Sequence, residues 1–180
     1  STTNNSKTAD PRSMFVSYMG VTEDSHQYIS DAIQNGCRFI LGSTPRKSLP
    51  YINNLDDFVY VCTPNPRKAW AFVESFLHSH PEKKLLTIGI TGTNGKTSTV
   101  SFLKNLLETY YKVGTIGTLG YHFGDDYFAS RHTSPDPNMF FKVLKQWVDN
   151  GCEVLIMEVS SHALFFDKYP SFQFDYTGFT

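Results

Sequence analysis

The sequence lacks both a long apolar run and a strong net charge. None of its hydrophobic stretches approaches the roughly 18 residues that a membrane-spanning helix needs. Its 16 Lys and Arg residues nearly balance its 17 Asp and Glu residues, which leaves a formal net charge of −1. Residues 1–6 are polar, so the start of the sequence does not resemble a signal peptide. These absences argue against non-specific binding of nucleic acid and against attachment to a membrane.

Cysteine is also scarce. The three cysteines, Cys37, Cys62 and Cys152, lie far apart in or beside strand-like segments, and no C-x-x-C pair occurs. An odd number without paired spacing argues against a disulfide framework and against a zinc site. We therefore expect buried, reduced thiols and a cytoplasmic location. We also expect the protein to be a monomer.

What the sequence does contain is a regular alternation of strand-like and helical segments. Apolar runs predict strands over 14–19, 38–41, 58–62, 85–91, 113–116, 153–159 and 174–179, and a hairpin over 121–129. Helical spacing of apolar residues predicts helices over 26–35, 66–78, 96–110 and 137–150. The third helix is expected to have an inner face made of Val100, Leu103, Leu106 and Leu107, and the fourth carries Phe140, Phe141, Val143, Leu144 and Trp147. The strand over 153–159 is expected to be buried. This alternation predicts the α/β fold class with parallel sheets and flanking helices.

The segment Pro81–Lys84 is the predicted domain boundary, because it is short and charged and begins with a proline. We expect residues 1–12 to form a flexible lead-in, residues 13–82 a small N-terminal α/β domain, and residues 83–180 a second domain that begins with a buried strand.

A glycine-rich segment between a predicted strand and a predicted helix has the character of a phosphate-binding loop. It reads Thr91-Gly92-Thr93-Asn94-Gly95-Lys96-Thr97, followed by Ser98. Glycines let successive backbone N–H groups point towards phosphate oxygens, and the helix N-terminus adds partial positive charge. In such loops the Lys contacts the β- and γ-phosphates and the following hydroxyl binds Mg²⁺. Ile90 stands where the commonest pattern has its first glycine, so a turn that merely links strand to helix is the alternative.

The motif Gly92–Thr97 resembles the loop of the Mur ligase superfamily, the ATP-dependent amide-forming enzymes of peptidoglycan synthesis. The segment Met157–Leu164 resembles the signature of the MurE-type ligases within it, and Gly117–Tyr121, Thr133–Asp136 and Asp24–Ile29 match the same family in the expected order.

The resemblance implies a UDP-sugar-binding domain over residues 13–82 and an ATP-binding phosphate-loop domain from residue 83. It assigns catalytic roles to Lys96 and Glu158 and the Mg²⁺ ligands to Thr97 and Glu158. It also implies that the nucleotide contacts are Gly92, Thr93, Asn94, Gly95, Lys96, Thr97 and Ser98, and that the substrate contacts are Val21, Thr22, Glu23, Thr133, Ser134, Ser160 and Lys168. Ordinary helix capping or turn formation is the alternative for Glu158, Ser160 and the pair Thr133 and Ser134.

The activity implied by the resemblance is the addition of the third amino acid to UDP-MurNAc-L-Ala-D-Glu through an acyl phosphate, with ATP and Mg²⁺. The family's later segments, including a second magnesium-binding His, a carbamylated Lys and a C-terminal domain, are not in this sequence, so we expect a truncated central domain that does not turn over alone. Phe166 and Lys168 stand where the family often has Gln and Arg. The alternatives are a non-catalytic nucleotide- or UDP-sugar-binding module and a ligase of the MurD or folylpolyglutamate synthase type.

Overall fold

The computed structural model describes residues 1–20, 23–52, 56–129, 136–160 and 172–180. The chain divides into two compact units, Ser1–Trp70 and Ala71–Thr180. This division falls inside a helix, Pro66–Leu77, which ends ahead of the boundary predicted after residue 82.

The first unit is built on a parallel sheet with the strand order β1-β2-β3-β4. Its strands are β1 (Thr2–Thr3), β2 (Met14–Val16), β3 (Phe39–Gly42) and β4 (Val59–Cys62), and its helix α1 spans Ile29–Gln34. Short 3₁₀ turns cover Ser6–Thr8, Ser25–Tyr28, Arg46–Ser48 and Pro50–Ile52. The core forms where the apolar face of α1 packs on the sheet, and it includes Phe15, Ile29, Ala32, Ile33 and Ile40.

The lead-in predicted to be flexible is instead part of this unit. Thr2 and Thr3 form the edge strand β1, which pairs with Met14 and Phe15, and both threonines are buried. The indole N–H of Trp70 donates a hydrogen bond to the hydroxyl of Thr2. A two-residue polar strand has no apolar alternation, so its backbone pairing leaves no signal in the sequence.

The second unit carries a mixed sheet with the order β10-β5-β9-β6-β7-β8. Its strands are β5 (Leu86–Thr91), β6 (Val113–Gly117), β7 (Gly120–Phe123), β8 (Asp126–Phe128), β9 (Val154–Glu158) and β10 (Tyr176–Phe179). Its helices are α3 (Lys96–Leu107) and α4 (Pro137–Asp149), following α2 (Pro66–Leu77) and a 3₁₀ turn at Pro81–Lys84. Strands β10, β5, β9 and β6 are parallel as predicted, whereas the hairpin adds β7 and β8 in antiparallel pairing.

Strand β9 lies between β5 and β6, and its side chains alternate between two cores. Val154 and Ile156 join a cluster with Val100 of α3, whereas Leu155 and Met157 join a cluster with the buried face of α4. Because side chains of a strand point to opposite faces of the sheet, α3 and α4 cover opposite faces. In the described ranges, no helix has the length and apolar content needed to cross a membrane.

Two side chains are more exposed than the sequence predicted. Leu106 was expected on the inner face of α3, but it is 64% exposed, whereas Val100, Leu103 and Leu107 face the core. Cys62 was expected to be buried, but it is exposed at the end of β4, while Cys37 and Cys152 are buried as predicted. All three cysteines are free.

Candidate functional site

The glycine-rich loop joins the end of β5 to the start of α3. Gly92 has φ of +135° and Gly95 has φ of +79°, and both values strongly favour glycine. A Cβ atom on Gly92 would lie only 1.9 Å from the backbone oxygen of Thr180. The shape of the loop therefore requires glycine at position 92 and favours glycine at position 95.

Thr180, which follows β10, holds this loop from one side. Its backbone N–H donates to the Thr91 oxygen at 2.9 Å, and its hydroxyl donates to the Asn94 oxygen at 2.6 Å. These bonds connect both ends of the bend to the neighbouring strand, so the loop has a fixed backbone path.

The ammonium group of Lys96 lies over the same loop. Its Nζ atom donates to the Gly92 oxygen at 2.7 Å, and the residue is half-buried. The N-cap of α3 is Gly95, which supplies no side-chain acceptor for the first amides of the helix. A cation and a helix N-terminus thus lie beside one bend, an arrangement that favours anions.

Thr97 and Glu158 line one cavity of about 180 Å³, next to the loop. Glu158 ends β9 and is only 2% exposed. The other lining residues are Val100, Ser101, Lys104, Thr115, Gly117, Leu119, Gly120 and His122. Buried carboxylates need a partner, and a hydroxyl with a carboxylate provides the oxygen ligands that Mg²⁺ prefers.

The last residue of β6, Gly117, and the first residue of the following turn, Thr118, lie next to the Glu158 carboxylate. The hydroxyl of Thr118 donates to Glu158 Oε2 at 2.9 Å. At Gly117 an added Cβ atom would lie 2.5 Å from Glu158 Oε1, so the carboxylate occupies space that only glycine leaves open. Sequence reasoning missed the role of Thr118, because its partner is 40 residues away in the chain.

The remaining predicted site residues are distributed as follows. Thr93, Asn94 and Ser98 are exposed on the loop and the first turn of α3, and Ser160 is half-buried two residues after Glu158. Glu23, in the first unit, accepts hydrogen bonds from the side chains of Gln27 and Tyr28. Val21, Thr22, Thr133, Ser134 and Lys168 lie outside the described residues, as does Phe166.

The first unit has its own polar network at the carboxyl ends of its strands, centred on the fully buried His26. Its Nδ1 atom bonds to the Asp24 carboxylate, and its Nε2 atom accepts from the backbone N–H groups of Ser43 at 3.0 Å and Thr44 at 3.2 Å. Because Nε2 accepts hydrogen bonds from two backbone N–H groups, it must carry a lone pair and no proton. The ring proton is therefore assigned to Nδ1. Burial opposes ionisation of Asp24, but the hydrogen bonds from the His26 side chain and backbone lower its pKa overall.

Replacing His26 by Leu should loosen the loop that follows β3. The variant leaves the half-buried amides of Ser43 and Thr44 without their acceptor. An unsatisfied buried group costs about 1–3 kcal/mol, and partial burial places the cost towards the lower end. We expect hydrogen exchange at the Ser43 and Thr44 amides to accelerate by at least about tenfold, measured by NMR. His26→Gln, which retains a side-chain acceptor, should show a smaller change. Unaltered exchange in the Leu variant would show that His26 does not hold this loop.

A strand, a glycine-rich bend with Lys and Thr, and a helix on a largely parallel sheet define an α/β protein of the phosphate-loop class. Residues 90–180 match the family described as the Mur ligase middle domain. The chain therefore belongs to the Mur ligase family.

Relatives identify the branch of the family. The chain is 34% identical to the UDP-N-acetylmuramoyl-L-alanyl-D-glutamate--2,6-diaminopimelate ligase of Clostridium tetani. The aligned region of 168 residues covers 93% of this chain and 34% of that protein. The protein of the same name from Cytophaga hutchinsonii is 34% identical over 170 residues, or 94% of this chain and 34% of that protein. The chain is thus a homologue of the MurE-type ligases, which confirms the resemblance seen in the motifs. It spans about a third of the length of the curated relatives it matches.

Solved structures show the same fold. A structure of a UDP-N-acetylmuramoyl-L-alanyl-D-glutamate--2,6-diaminopimelate ligase matches 99% of this chain and 35% of its own, with a TM-score of 0.77 and 17% identity. The MurF ligase of Thermotoga maritima in complex with ADP matches 89% of this chain and 32% of its own, with a TM-score of 0.52 and 21% identity.

Proposed function

We propose that this chain provides the ATP-binding loop and part of the acceptor-binding surface of a MurE-type ligase of peptidoglycan synthesis. Such a ligase joins an amino acid, 2,6-diaminopimelate in the named relatives, to UDP-MurNAc-L-Ala-D-Glu. The observation that carries the proposal is the cavity beside the glycine-rich loop, because Thr97 and the buried Glu158 both line it.

In this proposal, the loop binds the triphosphate. The backbone amides of Gly92, Thr93, Asn94 and Gly95 and the first amides of α3, at Lys96, Thr97 and Ser98, donate hydrogen bonds to phosphate oxygens. Lys96 exchanges its bond to the Gly92 oxygen for the β- and γ-phosphates, which are stronger acceptors because they are charged.

The oxygen atoms of Thr97 and Glu158 suit a magnesium ion. Both side chains line one cavity, and a buried carboxylate gains most from a cation. When bound, Mg²⁺ would neutralise charge that develops on the transferring phosphoryl group.

The proposed reaction brings two anions together. A carboxylate oxygen of the dipeptide bonds to the γ-phosphorus as the bond to ADP breaks, and the amino group of the next amino acid then displaces phosphate to form the amide. Lys96 supplies positive charge and alignment for the first step, which is what phosphoryl transfer demands of a protein. Glu158, which lines the cavity with Thr97, would hold the ion.

The acceptor contacts are part of the same proposal. The acceptor would meet Ser160, Thr133, Ser134 and Lys168 through its sugar and peptide. Its uridine diphosphate group would contact Val21, Thr22 and Glu23 in the first unit. Free cysteines are typical of the reducing cytoplasm, which we propose as the compartment.

Titration with the acceptor tests this function directly. UDP-MurNAc-L-Ala-D-Glu should bind the chain in the presence of ATP and Mg²⁺ and shift backbone NMR signals of Glu23 and Ser160. UDP-N-acetylglucosamine, which lacks the peptide, should leave Ser160 unaffected. Equal shifts with both ligands would instead indicate a binding module for UDP-sugars, and binding of neither would contradict the proposal.

A further inference from the structure

We propose that Thr118 is a positioning residue that holds the Glu158 carboxylate in the orientation needed to bind the metal ion. This inference deepens the proposed function and rests on it. It concerns a residue that touches neither nucleotide nor acceptor in the proposed arrangement and acts only through Glu158.

The backbone places Thr118 for this task. Strand β6 ends at Gly117 and β7 begins at Gly120, and these two glycines are paired across the hairpin, so Thr118 lies in the tight turn between them. Gly120 has φ of +106°, which favours glycine at the exit of the turn. Thr118 itself is exposed, yet its hydroxyl reaches the buried Glu158 carboxylate at 2.9 Å.

Both oxygen atoms of the carboxylate have close neighbours. Oε2 accepts from Thr118, and Oε1 lies against the backbone of Gly117. Strand β9 is buried over its whole length, so the Glu158 backbone is fixed as well. The Thr118 hydrogen bond therefore selects one rotation of the carboxylate, with its remaining lone pairs available to the cavity shared with Thr97.

Groups that orient a metal ligand contribute strongly to metal affinity. Loss of such a partner typically lowers metal affinity by about 10–100-fold. A threonine that served only to form the turn would affect stability, whereas a positioning residue affects metal affinity and leaves metal-free nucleotide binding unchanged.

The test compares Thr118→Val, which keeps the shape and removes the hydroxyl, with Thr118→Ser, which keeps it. Electron paramagnetic resonance measures Mn²⁺ affinity of the chain with ATP present, and calorimetry measures ATP affinity without metal. We expect Mn²⁺ affinity to fall about tenfold in the Val variant and to stay within about twofold in the Ser variant. Metal-free ATP affinity should be the same in all three proteins.

A second measurement, by ¹³C NMR without ligands, reports the orientation of the Glu158 carboxylate in the same two variants. The ¹³C signal of the Glu158 carboxyl carbon should shift in Thr118→Val and stay in place in Thr118→Ser, while the Glu153 carboxyl signal is unchanged in both. An unmoved Glu158 signal, or a Val variant that binds Mn²⁺ as the wild type does, overturns the role of Thr118 alone. A wild-type chain that binds ATP but no Mn²⁺ contradicts the proposed metal site and, with it, this inference.

Discussion

Replacement of Lys96 by Ala is expected to weaken binding of ATP and Mg²⁺ by about 100-fold. A hydrogen bond to a charged group is worth roughly 1.5–3 kcal/mol, and a factor of ten in affinity corresponds to about 1.4 kcal/mol. Lys96 is the cation that the structure shows lying over the glycine-rich loop, where it is bonded to the Gly92 oxygen. Loss of its charge removes both a donor to phosphate and part of the attraction that draws the nucleotide in.

Calorimetric titration of the wild type and the variant measures this effect. Lys142→Ala is the matched control, because Lys142 is an exposed lysine of α4 and its loss changes the net charge by the same amount. The control should bind ATP with wild-type affinity. Similar affinities of the Lys96 variant and the control would mean that the loop does not bind the phosphates.

The second large effect is expected from Gly92→Ala. The added Cβ atom would lie 1.9 Å from the Thr180 backbone oxygen, and a backbone oxygen cannot rotate away as a side chain can. The φ value of +135° adds strain of about 1–3 kcal/mol for any residue with a side chain. The loop must therefore move, and this movement takes backbone amides of the loop away from the phosphates. The loss of two hydrogen bonds from these amides to phosphate would by itself lower ATP affinity by about 100-fold or more.

Gly124→Ala separates the steric effect from the cost of a positive φ. Gly124 has φ of +55° in the hairpin between β7 and β8, and no atom lies within 4 Å of its added Cβ. Thermal melts should show a small loss of stability in this variant and a larger loss in Gly92→Ala. Nucleotide titration should show wild-type affinity for Gly124→Ala. A Gly92→Ala variant that binds ATP normally would contradict the loop geometry described above.

The regular elements of the second unit could be predicted from local sequence alone. In α4, apolar side chains at helical spacing fall between Pro137, which begins the helix, and Gly151, whose φ of +85° ends it. The apolar side chains on which the prediction of this helix rests are all buried: Phe140, Phe141, Val143, Leu144 and Trp147. The segment 153–159 likewise predicted a buried strand, and the structure confirms it as β9.

Features that depend on distant partners could not be predicted in this way. The order of β5, β9 and β6 follows from how the sheet is assembled, and no local pattern reports it. The pairing of β1 with β2 rests on backbone hydrogen bonds between short segments, one of which is polar. On α3, Leu103 and Leu107 follow Val100 by three and seven residues and share its face, whereas Leu106 follows it by six residues and lies off that face.

The residues of the candidate site also fall into those that a local motif predicts and those that depend on distant partners. Lys96 and Thr97 stand out because a phosphate loop is a local motif between a strand and a helix. Glu158 was identified only through resemblance to a family, and its proximity to Thr97 is a result of the parallel alignment of β5 and β9. The contact with Thr118 joins the turn after β6 to the end of β9, 40 residues further along the chain, so only the folded structure reveals it.

The most direct test of the account is an NMR titration of the wild-type chain with ATP, first without and then with Mg²⁺. The account predicts saturable shifts of the backbone amides from Gly92 to Ser98, together with a shift of the Glu158 carboxyl signal that requires the metal. If ATP and Mg²⁺ together leave these signals unchanged at millimolar concentration, the glycine-rich loop is a structural turn and the proposed function is wrong.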